Sequence, residues 1–198
     1  MINKVHEAGI NKAYLEQETM DKIRQKLQRG EFPSVSLTDF FTGYGRIKQD
    51  LPRLYFVEER KLTSHSYGYA VVPPSLQKLF RSQEFKHFLA QVLEKEVINT
   101  TALAYRFGWK DYTILHDEQQ EEPGIDLIID FTDEWDERAG GKIRYKDQEG
   151  NFISLPVGGN ILMIVRREKG VQRFVQYVNH YAEKRKRLLV MGKIMGKN

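Results

Sequence analysis

The apolar residues in the first half of the chain are spaced as they are in helices. Residues 11–30 carry apolar side chains at near-helical intervals among charged residues, and Gly30 ends the pattern. A second stretch follows Pro73 and Pro74 and places large apolar residues at i, i+3, i+4, i+7 and i+8. These residues are Phe85, Phe88, Leu89, Val92 and Leu93. Both patterns predict helices that bury one face, with a short strand at 34–38 between them.

From residue 97 onward the pattern changes to short segments typical of strands, separated by glycine, proline and asparagine turns. The segments cover 97–107, 112–115, 125–131, 142–145, 151–155, 161–165, 173–178 and 187–191. This spacing favours an all-β sandwich or barrel over an alternating α/β sheet. We therefore expect helices that buttress one face of a β-sandwich.

The domain organisation predicted from these patterns is a single domain over residues 1–198. Residues 1–95 form a helical and mixed N-terminal part, residues 96–192 form the β core, and residues 193–198 form a basic tail. A chain of 198 residues with 40% hydrophobic and 12% aromatic residues is able to bury one such core.

Composition and charge exclude several classes of function. The chain has no cysteine, which excludes disulfide scaffolds, thiolate catalysis and cysteine-ligated metals. No apolar run reaches the roughly 18–20 residues that cross a bilayer, and the N-terminus lacks a signal-like segment, so we expect a cytoplasmic protein without membrane contact. A net charge of +4 from 31 basic and 27 acidic residues permits acidic partners but does not require them.

The first candidate for chemistry is a histidine with a carboxylate two positions later. His116 and Glu118 would project from the same face of a strand, because side chains at i and i+2 share a face. Such a pair supplies two of the three ligands of a 2-His-1-carboxylate iron site. The bare pair is a weak signal in a chain with this many charged residues.

The surrounding sequence makes the pair more informative. Over residues 105–145 the chain resembles the 2-oxoglutarate- and iron(II)-dependent prolyl hydroxylases, with the subgroup that hydroxylates a ribosomal protein looking the most similar. The matching elements are Tyr105, Asp111, His116-Asp117-Glu118, the acidic stretch 119–122, the strand 125–131, the corner Glu134-Trp135-Asp136, Gly140-Gly141 and the strand 142–145.

The resemblance implies a mainly β (α+β) protein with a double-stranded β-helix, or jelly roll, whose N-terminal helices buttress one sheet. It also implies that His116 and Glu118 bind Fe(II) and that Arg187 binds the far carboxylate of 2-oxoglutarate. Tyr105 or Tyr112 would help to position that cosubstrate.

The sequence departs from the family pattern at the second histidine. In the ribosomal prolyl hydroxylases a later strand reads Phe-His-Gln, with an arginine twelve positions after the histidine. Here the strand reads Phe174-Val175-Gln176, and Arg187 follows at the expected distance. The distal histidine is thus replaced by Val175, which cannot ligate a metal. His180 is a further candidate ligand, and Glu118 stands where the family usually has aspartate.

Two hypotheses follow from these residues. The first is an oxygenase that uses Fe(II) and 2-oxoglutarate to hydroxylate a protein substrate. The alternative is a catalytically degenerate jelly-roll module that needs no cofactor and binds protein or RNA. Apolar packing around Val175 and a salt-bridged Arg187 would favour the alternative.

A nucleic-acid partner is predicted from the basic residues near the C-terminus. These are Lys184, Arg185, Lys186, Arg187, Lys193 and Lys197. A second interpretation of the same residues is a turn followed by a strand whose Arg187 points inward. Arg106 and Arg173 are expected to add positive charge near the mouth of the cavity.

Overall fold

The structure, a computed structural model, describes residues 8–29, 32–115 and 122–197. Its α-helices are α1 (Gln17–Gln28), α2 (Tyr44–Asp50), α3 (Pro74–Arg81) and α4 (Gln83–Leu93). Short 3-10 turns occupy Lys12–Leu15, Leu51–Arg53, Glu137–Ala139 and His180–Ala182. The helical pattern at 11–30 thus corresponds to one 3-10 turn followed by α1.

Strands make up most of the remaining regular structure. They are β1 (Gly9–Ile10), β2 (Ser34–Thr38), β3 (Phe41–Thr42), β4 (Val57–Lys61), β5 (His65–Val71), β6 (Glu96–Phe107), β7 (Tyr112–Thr113), β8 (Gly124–Asp130), β9 (Ile143–Lys146), β10 (Phe152–Ser154), β11 (Ile161–Arg167), β12 (Gln172–Val175) and β13 (Arg187–Lys197).

These strands form two antiparallel sheets that face each other. The large sheet has eight strands in the order β2-β11-β8-β13-β6-β5-β4, with β7 paired to the edge of β5. The small sheet has three strands in the order β10-β9-β12. β1 and β3 form a separate two-stranded pair.

The large sheet separates two apolar cores because neighbouring side chains of a strand point to opposite faces. Along β8, Leu127 and Ile129 pack on the helix side, whereas Ile128 packs between the two sheets. Asp130 shares the inner face with Ile128 and is fully buried. A strand buried on both faces explains why the apolar run at 125–131 shows no alternation of hydrophobic and polar residues.

The helices cover the outer face of the large sheet. α1 packs on α4; α1 contacts the sheet through β2 and β11, and α4 contacts it through β6. The Oγ of Ser82 caps α4 by accepting a hydrogen bond from the backbone N–H of Phe85 at 3.2 Å. The stripe predicted for this helix is buried, and His87 is exposed.

One boundary differs from the prediction. β13 continues to Lys197 and pairs with β6 along its length, so residues 193–197 are part of the sheet and not a separate basic tail. The continuation could not be predicted from the sequence because Gly192 and Gly196 interrupt the apolar pattern. Backbone pairing does not require side chains, so the strand continues past both glycines, with a register irregularity between Met195 and Gly196.

We predict that the helix–sheet core dominates the stability of the fold. Leu89→Ala removes a fully buried side chain of α4 and should lower the free energy of unfolding by about 2–5 kcal/mol. Leu62→Ala makes the same chemical change at a side chain that is 95% exposed and should have an effect below about 0.5 kcal/mol. Urea unfolding followed by circular dichroism measures both. Equal effects at the two positions would contradict this packing.

Candidate functional site

Some, but not all, of the predicted site residues lie around the space between the two sheets. Val175 ends β12, Arg187 begins β13, and Tyr105 lies on β6, so all three belong to the walls of this space. His116 and Glu118 lie outside the described residues. The strand β7 ends at Thr113, just before them in the sequence, and its neighbour across the gap between the sheets is β12.

Val175 occupies an apolar environment. Its side chain is 2% exposed and belongs to the core between the sheets, where it packs among aliphatic and aromatic groups. Its backbone N–H donates a hydrogen bond to the Oγ1 of Thr113 at 2.7 Å, which links β12 to β7. The position therefore has well-formed packing but no atom that could ligate a metal.

Arg187 is buried and bound to internal acceptors. Its side chain is 1% exposed and forms an ion pair with the fully buried carboxylate of Asp130. Its other guanidinium nitrogens donate to the carbonyl of Gly141 and to the Oγ1 of Thr132. Gly141 has a φ of 69°, and a Cβ there would approach the Arg187 side chain to 3.3 Å. Every nitrogen of the guanidinium thus already donates to the protein.

Asp130 is held from several directions. One carboxylate oxygen accepts the backbone N–H of Thr132 at 2.9 Å, and the other accepts the N–H of Gly158 at 3.1 Å in addition to Arg187. Burial raises the pKa of the Asp130 carboxyl, and the charge of Arg187 offsets this only in part. Both charges are removed from water, so each depends on its attraction to the other to offset the loss of hydration.

The remaining predicted residues lie at different places. His180 is exposed, starts a 3-10 turn and stacks on Tyr181, with 4.4 Å between the ring centroids. Tyr112 donates its hydroxyl hydrogen to the carbonyl of Leu62 at 2.6 Å. Tyr105 lines the interior and packs against Tyr67, with the ring centroids 5.5 Å apart. Of these three, Tyr105 packs against the core between the sheets.

Sequence reasoning missed a second buried polar group in the same space. The carboxylate of Asp126 accepts the hydroxyl of Tyr145 at 2.9 Å and pairs with Arg167 at 3.3 Å and Arg173 at 3.2 Å. Burial strongly raises the pKa of Tyr145. The available signal was the pair of aspartates at i and i+4 in an otherwise apolar strand, since Asp126 and Asp130 share one face of β8.

Open space remains beside Arg173. A cavity of about 230 Å³ lies between Tyr67, Tyr105, Arg173 and Val175, and a second cavity of about 300 Å³ adjoins it along β6 and β13. Tyr105, Arg173 and Met191 line both cavities. Within residues 8–29, 32–115 and 122–197, no group of three or more histidine or acidic side chains is arranged to hold a metal ion.

The basic residues near the C-terminus are not all on the surface. Arg187 is buried, and Arg185 donates to the carbonyls of Glu134 and Tyr181. Lys184 and Lys186 are exposed, and the Lys186 side chain lies across Gly108. The predicted nucleic-acid surface is not supported by this arrangement.

Known structures with a similar arrangement of elements define the fold of the protein. A prolyl 4-hydroxylase from Pseudomonas putida matches with a TM-score of 0.69 at 10% identity, covering 90% of this chain and 99% of that one. A 2OG-Fe(II) oxygenase family oxidoreductase from Burkholderia pseudomallei matches with a TM-score of 0.68 at 12% identity, covering 90% of this chain and 92% of that one. A Trichoplax adhaerens prolyl hydroxylase was solved with a hypoxia-inducible factor degradation-domain peptide. It matches with a TM-score of 0.66 at 10% identity, covering 93% of this chain and 92% of that one. The predicted jelly roll with buttressing helices is therefore confirmed.

Sequence comparison gives the family. The model of the family described as "Oxoglutarate and iron-dependent oxygenase degradation C-term" matches residues 58–196, which is more than half of the chain. The chain belongs to this family and is a prolyl hydroxylase-like protein. The Xenopus laevis prolyl 3-hydroxylase OGFOD1 is 30% identical over 79 residues, which is 37% of this chain and 16% of that protein. No helix in the described part of the chain is long and apolar enough to cross a membrane.

We predict that the ion pair of Arg187 is a structural requirement. Asp130→Asn leaves a buried guanidinium without its counter-charge and should lower the free energy of unfolding by about 3–5 kcal/mol. Asp21→Asn removes a carboxylate that is 42% exposed and pairs with Arg24, so its effect should stay below about 1 kcal/mol. Chemical denaturation of both variants at neutral pH measures the difference. A small effect of Asp130→Asn would mean that the pair is dispensable.

Proposed function

We propose that this chain is a protein-binding module with the prolyl-hydroxylase fold that does not itself hydroxylate its partner. The observation that carries the proposal is the ion pair between Arg187 and Asp130. The resemblance assigns this arginine to the distal carboxylate of 2-oxoglutarate. Here an internal carboxylate is bound to it.

Displacing Asp130 would be energetically unfavourable. A cosubstrate carboxylate could take the place of Asp130 only if Asp130 became a buried charge without a partner. Breaking a buried pair in this way costs about 3–5 kcal/mol, which is comparable to the whole binding free energy of a millimolar ligand. The described residues therefore do not fit 2-oxoglutarate at this position.

The metal position gives independent support. A non-haem iron(II) oxygenase uses two histidines and one carboxylate. His116 and Glu118 supply one of each in the sequence, and the resemblance places Val175 where the other histidine belongs. Val175 is embedded in the core, and His180 is exposed on a 3-10 turn with its ring on Tyr181. We infer that the iron-binding set is incomplete.

The partner is proposed to be an extended peptide segment of another protein. An open apolar groove of about 560 Å³ lies between residues 112–115 and 174–177. Ile114 and Tyr177 in this groove are 43% and 48% exposed, although large apolar side chains are usually buried. The Trichoplax relative of the same fold was solved with a peptide bound. Grooves with aromatic walls accept extended segments that contain proline.

The binding-module proposal and the active-oxygenase hypothesis predict opposite results in a metal-binding experiment. For the wild-type chain we expect no loss of the free Mn(II) signal in anaerobic electron paramagnetic resonance titrations up to millimolar concentrations. We also expect no succinate from 2-oxoglutarate in the presence of iron(II) and oxygen. The Pseudomonas prolyl 4-hydroxylase is the positive control. Mn(II) binding that His116→Ala abolishes would overturn the proposal.

Restoring the missing ligand tests the assignment of Val175. Val175→His should create measurable Mn(II) binding, because it would complete two histidines and one carboxylate. The binding should disappear in the double variant with His116→Ala. Val175→Gln is the matched control, since it places a polar side chain of similar size there without a good metal ligand. A folded Val175→His variant that binds no Mn(II) would show that position 175 is not the ligand position.

The groove is tested with defined peptides. Fluorescein-labelled 15-residue peptides with a central proline between leucine and phenylalanine residues are the probes, and fluorescence anisotropy is the measurement. We expect Tyr177→Ala to weaken binding by about tenfold or more, as for aromatic anchors of interfaces. Tyr55→Ala, at an 87% exposed side chain outside the groove, should have no effect. Equal binding by wild type and Tyr177→Ala would exclude this groove.

A further inference from the structure

The outer face of the small sheet carries basic and aromatic side chains next to each other. Residues that are paired directly across two strands share one face, and Arg144 of β9 is paired with Phe174 of β12. Lys146, two positions further along β9, is paired with Phe152 of β10, whose ring is 46% exposed. The residues that alternate with these along β9 are buried in the core between the sheets. The basic and aromatic side chains therefore point away from that core.

The guanidinium of Arg144 is positioned by two aromatic rings. Its central carbon lies 4.9 Å from the ring centroid of Phe152 and 6.0 Å from that of Phe174. These two rings meet edge to face, with 6.1 Å between their centroids. Stacking of this kind uses the faces of the guanidinium and leaves its N–H groups to bind an acceptor in the plane. The Nε of Arg144 is buried and has no hydrogen-bond acceptor among the described residues.

The charges on this face suit a carboxylate with apolar neighbours. Within the described residues Arg144 and Lys146 form no ion pair, whereas Lys142 pairs with Glu137 at 3.0 Å. The Nζ of Lys146 lies 6.0 Å from the ring centroid of Phe152. Two cations beside phenylalanine rings are complementary to an acidic side chain in an otherwise apolar segment.

This face is continuous with the groove between residues 112–115 and 174–177, because Phe174 belongs to both. Neighbouring strands lie about 4.8 Å apart, and an extended segment advances about 3.3 Å per residue. A segment that leaves the groove across β12 would therefore reach Arg144 about two to four residues beyond the side chain that it places in the groove.

We propose that the segment bound in this groove contains an acidic residue at that distance from its apolar anchor, and that Arg144 binds its carboxylate. The proposal rests on the proposed function, because it describes the partner of the same groove. Arg144 donates charge-assisted hydrogen bonds to the carboxylate while its faces stay on Phe152 and Phe174. Lys146 adds attraction at longer range.

Single-stranded nucleic acid is the other class of partner that binds basic and aromatic side chains on a sheet. Such sites stack bases on open aromatic faces and follow the phosphates with a row of cations. Here the guanidinium of Arg144 covers one face of Phe152, and the adjoining groove is apolar. An acidic peptide therefore fits this surface better than a nucleic acid does.

The experiment compares two versions of the proline-containing peptides used for the groove, by fluorescence anisotropy with the full chain. One version carries Glu at the third position on either side of the proline, and the other carries Gln at the same positions. We expect the wild-type chain to bind the Glu peptide about fivefold or more tightly than the Gln peptide. This preference should decrease as the salt concentration rises. A labelled oligouridine is the third probe.

Three variants assign the preference to Arg144. Arg144→Gln should bind the two peptides equally, and Arg144→Lys should show a smaller preference than the wild type, because lysine keeps the charge without the planar donors. Arg53→Gln is the matched control. It removes the same charge from an exposed arginine that ends a 3-10 turn on the helix side of the large sheet, so the full preference should remain. Circular dichroism checks that each variant is folded.

The outcomes separate this proposal from the proposed function. Equal binding of both peptides by the wild type, or a preference that persists in Arg144→Gln, would overturn the proposal, while a loss of binding in Tyr177→Ala would still support the groove. Tighter binding of oligouridine than of the Glu peptide would overturn it in favour of nucleic acid. No binding of either peptide would overturn both the proposal and the groove. Succinate formation would overturn the proposed function alone, because a Glu preference that depends on Arg144 would then describe a substrate.

Discussion

The ion pair between Asp130 and Arg187 constrains the inside of this protein. Asp130 ends β8 and Arg187 begins β13, and these strands are neighbours in the large sheet. Arg187 also reaches the carbonyl of Gly141 in the turn before the small sheet. The pair thus joins the two layers at one end. Because both charges are buried, neither group can be released to a ligand without leaving the other uncompensated.

Two independent features of the interior support the proposal that this chain does not act as an iron(II)- and 2-oxoglutarate-dependent hydroxylase. The resemblance places the well-packed Val175 where the family has a ligating histidine, and Asp130 is bound to the arginine to which the resemblance assigns an external carboxylate. The fold itself is shared with prolyl hydroxylases that are only about 10% identical in sequence. A fold can therefore persist while its site acquires another role, because packing depends on overall shape and chemistry depends on a few side chains.

The interior has two polar centres with different properties. At Asp130 one carboxylate pairs with one guanidinium, whereas the carboxylate of Asp126 pairs with two, and one of these, Arg173, borders open space. Both aspartates come from the inner face of β8, four positions apart. A single strand thus supplies the carboxylates of both buried ion-pair centres.

Some elements of the fold could not be predicted from the sequence, for physical reasons. β4 is an edge strand whose residues are all exposed, so it has no alternation to detect. β5 buries Ser66, Gly68 and Ala70 while its tyrosines are half exposed, which reverses the usual relation between hydrophobicity and burial. α2 is short and follows Gly43, whose backbone is in the left-handed region. Its hydrophobic pattern therefore cannot be distinguished from that of a loop.

The amino-acid sequence alone determined the helices 17–28 and 83–93, most strands of the core, the jelly roll and the family resemblance. It did so because hydrophobic periodicity and motif order are local properties of the chain. It also gave Val175 and Arg187 as positions of the candidate site, on the strength of the family resemblance. Only the tertiary structure decided that Arg187 meets Asp130 and that Arg173 meets Asp126. Those contacts join residues 57 and 47 positions apart in the chain, and their partners are chosen by strand order and by which face each strand turns inward.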